Sequence, residues 1–300
     1  MSELGIPAGA PPALWAQEVG EGPLVVLVHG AMDRSGGMLR VRRALQDECR
    51  VLRYDRRGYG RSLAAGPAVS FEQQVDDLAG LVAGRRAVLA GHSLGGVICL
   101  ALAEREPGLV RSVLAYEAPM MWEPWWPRDS PGLQVLELRA EGHTDGRGEG
   151  GGDEGGDDGD DNGRGNALGG DAAEWFLRRM IGDARWDRLP ELVRAERRAE
   201  GAALVAELRS VHPPAPSPYT PERVPVAVLS ACGSETSSHH RRAAHVLARR
   251  VPQAQLQLVD GAGHGAHLSH PEAFADLVRH TLGLGVDAER IPDRPAQWER

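Results

Sequence analysis

Cysteine is scarce and lysine is absent. The three cysteines, Cys49, Cys99 and Cys232, are scattered and odd in number. No pair has metal-binding or redox spacing, which argues against a disulfide framework and for reduced thiols in a cytoplasmic protein. Every one of the 34 basic residues is Arg, a bias from which no functional conclusion follows. No apolar run approaches the length of a membrane span. Met1–Ala10 lacks the basic-then-apolar pattern of a signal peptide. Aromatics make up only 5%, although Trp, at 7, outnumbers both Phe and Tyr. An excess of basic charge is missing too. The formal charge is −8, and −7 of it falls between Asp145 and Asp161, where eight acidic residues meet one Arg. The rest is nearly neutral, so neither nucleic acid nor a membrane surface is expected as a partner. Oligomeric state leaves no mark on the sequence.

What is present is a chain of 300 residues with 42% hydrophobic content, enough for one substantial core plus an insertion. Leu14–Val19 reads as an outer strand and Leu24–Val28 as a strand buried on both faces. A helix around Gly37–Gln46 and a strand at Arg50–Tyr54 follow. Ser70 and Gln73 form a capping box for a helix through about Ala83. Ala87–Ala90 is a strand, Gly96–Glu104 a helix and Ser112–Tyr116 a strand. This alternation predicts an α/β fold with a mostly parallel sheet covered on both faces. The rhythm breaks over 118–222, which is Pro- and Trp-rich with helical patches near Asp171–Ile181 and Leu189–Arg209. It resumes with a strand at Val226–Ser230, a helix around His239–Arg250, a strand at Gln255–Val259 and a helix over Pro271–Leu282. The expected partition is a core over 1–117 and 223–283, an insertion over 118–222, and a polar tail over 284–300. Within the insertion, 142–170 is Gly, Asp and Glu with almost no apolar residue, and is expected to be disordered. Asp158–Gly163 matches the first half of a calcium-binding EF-hand loop, but Gly169 stands where the closing Glu ligand belongs, so no metal is expected there.

Gly91-His92-Ser93-Leu94-Gly95 spells G-x-S-x-G between a strand and a helix. That context holds Ser93 in a strained turn with its hydroxyl exposed, as a nucleophile requires. A tetrahedral intermediate needs two backbone N–H groups aimed at its oxyanion. One comes from Leu94. The other comes from the turn after the second strand, His29-Gly30-Ala31-Met32, through Ala31 or alternatively Met32. Gly261–Glu272 places a histidine on a Gly-rich loop between a strand and a Pro-initiated helix. His264 stands directly after the strand and is the candidate general base. His267 and His270 lie nearer the helix start and read as structural.

These pieces, with the D-x-R-G-x-G-x-S loop of Asp55–Ser62, resemble the α/β-hydrolase superfamily over about residues 14–283, the insertion excepted. The closest likeness is to small bacterial carboxylesterases and pimeloyl-ester-type hydrolases. The resemblance implies an eight-stranded sheet with its second strand antiparallel, and a helical cap inserted before the last two strands. It implies Ser93 as nucleophile, His264 as base, and Leu94 with Ala31 as oxyanion hole. The acid departs from the pattern. Most relatives carry Asp in a G-x-x-D turn after the cap, and here Gly233-Ser234-Glu235-Thr236 puts Thr236 in that place. Glu117, at the end of the strand before the cap, is the preferred substitute, since some relatives take their acid from that strand end. Glu235 is the alternative. Both satisfy the order Ser, acid, His.

Three minor features complete the expectation. Asp55-Arg56-Arg57 reads as a brace beside the oxyanion turn. His239, His240 and His245 read as a solvated helix face, since their spacing fits no common metal site. Met120, Met121, Trp122, Trp125 and Trp126 read either as lining of an apolar substrate pocket or as packing within the cap. The expected activity is a serine hydrolase of small to medium apolar esters, without cofactor or metal. The same residues would serve C–C bond or thioester hydrolysis or a cofactor-free lyase. A non-catalytic binding or receptor protein on the same fold is the reading of another class.

Overall fold

From Ala16 onward, alternating strand and helix signals become a seven-stranded sheet in the computed structural model, which describes residues 14–141 and 161–290. In chain order the elements are β1 (Ala16–Val19), β2 (Leu24–Val28), α1 (Leu39–Leu45), β3 (Arg50–Tyr54), α2 (Phe71–Val82), β4 (Ala87–His92), α3 (Leu94–Arg105) and β5 (Val110–Tyr116). Then come α4 (Pro131–Glu141), α5 (Asp161–Ile181), α6 (Asp183–Asp187), α7 (Glu191–Ala199) and α8 (Gly201–Val211). The chain returns to the sheet with β6 (Ala227–Gly233), α9 (Ser238–Arg250), β7 (Ala254–Val259), α10 (Ala266–Ser269) and α11 (Pro271–Arg290). Two compact units result. One holds all seven strands, in Ala16–Tyr54, Gln74–Met120 and the described part of Ser217–Arg300. The other is helical, made of Leu14–Trp15, Asp55–Gln73 and the described part of Met121–Pro216.

The sheet order is β1-β3-β2-β4-β5-β6-β7, parallel throughout except that β1 runs antiparallel to β3. Eight strands with the second antiparallel were expected. Among the described residues there are seven, and the first is the antiparallel one. Both edges of β2 are taken by β3 and β4, so β1 falls on the open edge of β3, and its exposed side chains suit an edge. β2 and β4 are buried along their whole length, as parallel strands covered on both faces must be. Met38, Val41 and Leu45 of the α1 region, with Phe274, Leu277 and Val278 of α11, cover Val25, Leu27, Val88, Ala90 and Leu114. α3 is buried from Leu94 to Ala103 and packs on β4 and β5.

Two sequence expectations are corrected at the ends of segments. The tract expected to be disordered over 142–170 is helical from Asp161, where α5 begins, and 142–160 lie outside the described residues. Close packing explains the difference. A Cβ on Gly201 would overlap the Gly169 carbonyl, so paired glycines let α5 and α8 touch backbone to backbone. The polar tail expected from 284 is instead the last part of α11, which continues to Arg290, with Leu282 and Leu284 against the core. Residues 291–300 lie outside the described set.

Within the helical unit the Asp55–Ser62 loop is fastened to α8. Glu207 accepts from Arg56 at 2.7 Å and from the Tyr59 hydroxyl at 2.6 Å, and Glu200 accepts from the Gly60 N–H at 2.7 Å. Arg56 and Glu207 are each only 2% exposed, so neither charge has water to fall back on. Glu207→Gln is expected to cost about 3 kcal/mol of unfolding free energy, because it strands a buried guanidinium. Arg56→Met combined with Glu207→Leu should recover most of that loss, measured by urea unfolding.

Candidate active site

β4 ends at His92 and α3 begins at Leu94, so Ser93 alone makes the elbow. Its backbone is at φ 52° and ψ −126°, a conformation costing on the order of 1–3 kcal/mol for a residue with a side chain. Two features hold it there. The Ser93 N–H donates to the Tyr116 carbonyl at 2.8 Å, and the flanking glycines let strand and helix close in. A Cβ on Gly91 would lie 2.5 Å from the Gly95 backbone, and one on Gly95 would overlap the Val28 carbonyl. Leu94 opens α3, so its N–H is a first-turn donor that the helix does not use. Ala31 and Met32 lie on the turn after β2, where Met32 has φ 52°.

β5 delivers the carboxylate. Glu117 follows Tyr116 at φ 47° and its N–H continues the ladder to the Ala231 carbonyl at 2.8 Å. The side chain is fully buried. Its Oε2 accepts from His264 Nδ1 at 2.7 Å and from the Thr236 hydroxyl at 2.7 Å, and its Oε1 accepts from the Gly233 N–H at 2.9 Å. Burial alone would raise this carboxyl. The bond and charge of His264, with the Gly233 and Thr236 donors, outweigh burial and hold it below the ordinary Glu value. Nδ1 of His264 is therefore the donor, and the lone pair falls on Nε2. Glu235, the alternative acid, is exposed; its main-chain N–H bonds the Ala262 carbonyl. Thr236, on the turn after β6, serves as a donor to the Glu117 carboxylate.

Other imidazoles crowd the same region. His92 Nε2 donates to the main-chain carbonyl of His264 at 2.8 Å, and the two rings are 4.7 Å apart. His240 stacks on His264 at 4.3 Å and 26°, so it is not on the solvated helix face expected for it. Burial and neighbouring imidazoles push both His92 and His240 well below the ordinary histidine range, which keeps them neutral. His267 donates from Nε2 to Asp33 at 2.9 Å, joining the His264 loop to the oxyanion turn. His270 pairs with its neighbour Ser269. Sequence reasoning missed His92, His240 and the Asp33–His267 pair. The one available signal was the position of His92 next to Ser93.

Among the described residues two groups have donor atoms close enough to hold a metal, Asp33–His92–His267 and Glu117–His240–His264. In each, the carboxylate already accepts an imidazole N–H, and that proton takes the place a cation would need. Of the residues considered for an apolar pocket, Met120 is buried in the sheet unit. Met121 and Trp126 are buried, and Trp122 and Trp125 half-buried, in the helical unit.

Asp33 gives a pH-dependent contribution to stability. Burial would raise its carboxyl, but the bond and charge of His267 lower it from 3.8 to about 2. A lowered native value means the contribution is full above the unfolded value and lost as pH falls through the native one. Asp33→Asn should therefore cost about 2 kcal/mol at neutral pH. Urea unfolding at a series of pH values should show the gap between variant and wild type narrowing below about pH 4.

Over 104 residues the chain is 35% identical to the 2-(acetamidomethylene)succinate hydrolase of Mesorhizobium japonicum, covering 34% of this chain and 37% of that protein. Over 137 residues it is 34% identical to the pimeloyl-[acyl-carrier protein] methyl ester esterase of Nitrosospira multiformis, covering 43% and 50%. The aligned part thus spans half or less of these curated relatives. In three dimensions the chain is similar to a thermophilic esterase from Thermogutta terrifontis, with a TM-score of 0.64 at 21% identity over 91% of this chain and 93% of that one. No described helix is long and apolar enough to cross a membrane. The model of the alpha/beta hydrolase family matches residues 25–277, from β2 into α11 and through the elbow, Glu117 and His264; the chain belongs to the alpha/beta hydrolase family.

Proposed function

We propose that the protein is a serine hydrolase that cleaves small to medium apolar carboxylic esters through an acyl-enzyme on Ser93. The observation that carries this reading is the 2.7 Å bond from His264 to the buried Glu117, on the loop that His92, the residue before Ser93, holds by its carbonyl. The relatives named as a hydrolase and a methyl ester esterase support it.

Each step uses groups of this chain. Ser93 Oγ attacks the acyl carbon while His264 Nε2 takes the hydroxyl proton. The C–O double bond becomes an oxyanion, received by the N–H groups of Leu94 and of Ala31 or Met32. The oxyanion collapses, the alkoxide leaves, and it carries away the proton from His264. Water then attacks the acyl-enzyme, giving its proton to the same nitrogen, and the acid is released as Ser93 regains its hydrogen. Glu117 stays ionised throughout, holding the Nδ1–H tautomer and stabilising the transient imidazolium. The partner is a small molecule, and neither nucleic acid nor a cofactor enters the reaction. A cytoplasmic location fits three cysteines that are all free and buried.

The bond from His264 to Glu117 favours a catalytic reading over a non-catalytic binding protein on the same fold. A fluorophosphonate probe should label the wild-type protein and leave Ser93→Ala unlabelled. Folded wild type that takes no label would sink the assignment. Glu117→Gln should lower kcat by about 10³–10⁴-fold, because the amide misorients the imidazole without changing shape. Glu235→Gln should leave kcat within about twofold of wild type, as expected for an exposed side chain away from special features. The reverse pattern would move the acid to Glu235. Across nitrophenyl esters graded by acyl length, kcat/KM should peak at short to medium chains. A flat profile, or activity confined to thioesters, would redirect the substrate class.

A further inference from the structure

The loop that carries His264 is held by its main chain at two consecutive carbonyls. The Tyr116 hydroxyl donates to the Gly263 carbonyl at 2.8 Å, and His92 Nε2 donates to the His264 carbonyl at 2.8 Å. The two donors are register partners at the ends of adjacent parallel strands, with their rings 6.2 Å apart. In each strand the next residue is one assigned to the chemistry, Ser93 after His92 and Glu117 after Tyr116. Both of those have positive φ, 52° and 47°. Each strand end therefore supplies a dipeptide whose first residue holds the His264 loop and whose second faces the reaction.

We propose that His92 and Tyr116 form a two-point clamp that sets the position of His264 against Ser93, so that both are positioning residues for hydrolysis. The proposal rests on the assignment of Ser93 and His264 made above. The bond from His264 Nδ1 to Glu117 fixes one atom of the ring, and rotation of the loop about that bond would still swing Nε2 away from the elbow. Holding the carbonyls of 263 and 264 removes that freedom. The donors suit the task. Tyr116 is fully buried against Phe274, with ring centroids 5.5 Å apart, and burial raises its phenol, so it stays protonated. Among the described residues His92 has no hydrogen-bond partner on its buried Nδ1, so there the Nε2–H bond to the loop is its one polar anchor. A neutral hydrogen bond is worth only about 1 kcal/mol to stability. Placement matters more here, because a shift of about 1 Å between reacting groups costs on the order of 10²-fold in rate.

Three variants test the clamp. Tyr116→Phe removes one donor with little change of shape. His92→Leu removes the other, and His92→Gln returns an N–H donor of shorter reach. Tyr116→Phe and His92→Leu should each lower kcat by about 10-fold or more with KM within about twofold, and the pair together should lose about 10²-fold or more. His92→Gln should recover part of the loss. The rate of fluorophosphonate labelling should fall in parallel with kcat. In proton NMR the low-field resonance of the His264 Nδ1–H bonded to Glu117 should broaden or move upfield in Tyr116→Phe and His92→Leu. Folded variants with wild-type kcat, labelling rate and low-field proton would overturn the clamp. So would a loss in His92→Leu that His92→Gln does not relieve at all. If the wild-type protein takes no label and cleaves no ester, the serine hydrolase reading fails. The low-field proton of the variants then decides the clamp without reference to activity.

Discussion

The register of three parallel strands is the constraint on which the site depends. His92 on β4 pairs with Tyr116 on β5, and Tyr116 pairs with Ala231 on β6. The ladder runs one step further, through Ser93 N–H to Tyr116 O and Glu117 N–H to Ala231 O, each at 2.8 Å. Ser93 and Glu117 therefore leave the sheet side by side on one rim. The crevice beyond the carboxyl ends of parallel strands is where open α/β sheets bind ligands. A slip of one residue in either pairing would turn the side chains of the slipped strand to the opposite face.

With the proposed acid at the end of β5, the turn after β6 has a different task. It now supplies donors in place of charge, through the Gly233 N–H and the Thr236 hydroxyl. With His264, these give Glu117 three donors for two buried oxygens, enough to outweigh the burial that would otherwise protonate it. Threonine is thus a suitable occupant of a position where a second carboxylate would repel Glu117. The longer arm of glutamate suits a start one strand closer to the nucleophile.

Much of the fold was legible because its signals are local. Five apolar residues at 24–28, the G-x-S-x-G elbow and the Ser70–Gln73 cap, seen as a bond from Gln73 N–H to Ser70 Oγ at 3.3 Å, each declare themselves within a few positions. The misses are long-range. β1 pairs with β3 because of which edges are free, and α5 begins at Asp161 because glycines at 169 and 201 meet across 32 residues of chain. The site divides the same way. Ser93 and His264 stand in motifs that read as nucleophile and base. His92, Tyr116, His267 and Asp33 earn their places through contacts across 147 to 234 residues, which no spacing rule encodes. The partner of Arg56 is hidden for the same reason. The sequence shows the charge, and only the fold shows that Glu207, 151 residues on, is its partner.

Strain on the rim follows the same geometry. Four described residues other than glycine have positive φ, and three of them, Met32, Ser93 and Glu117, stand at or just past the ends of β2, β4 and β5. Each conformation costs on the order of 1–3 kcal/mol and persists only where the surroundings over-determine it. For Ser93 and Glu117 the restraint is visible. Their N–H groups are tied to the neighbouring strand, and the residue before each holds the His264 loop. A relaxed backbone at either position would break a sheet bond, loosen the loop and turn the side chain away from the rim. The buried sheet therefore carries the strain, and the same few bonds tie the two strand ends to the loop that bears His264.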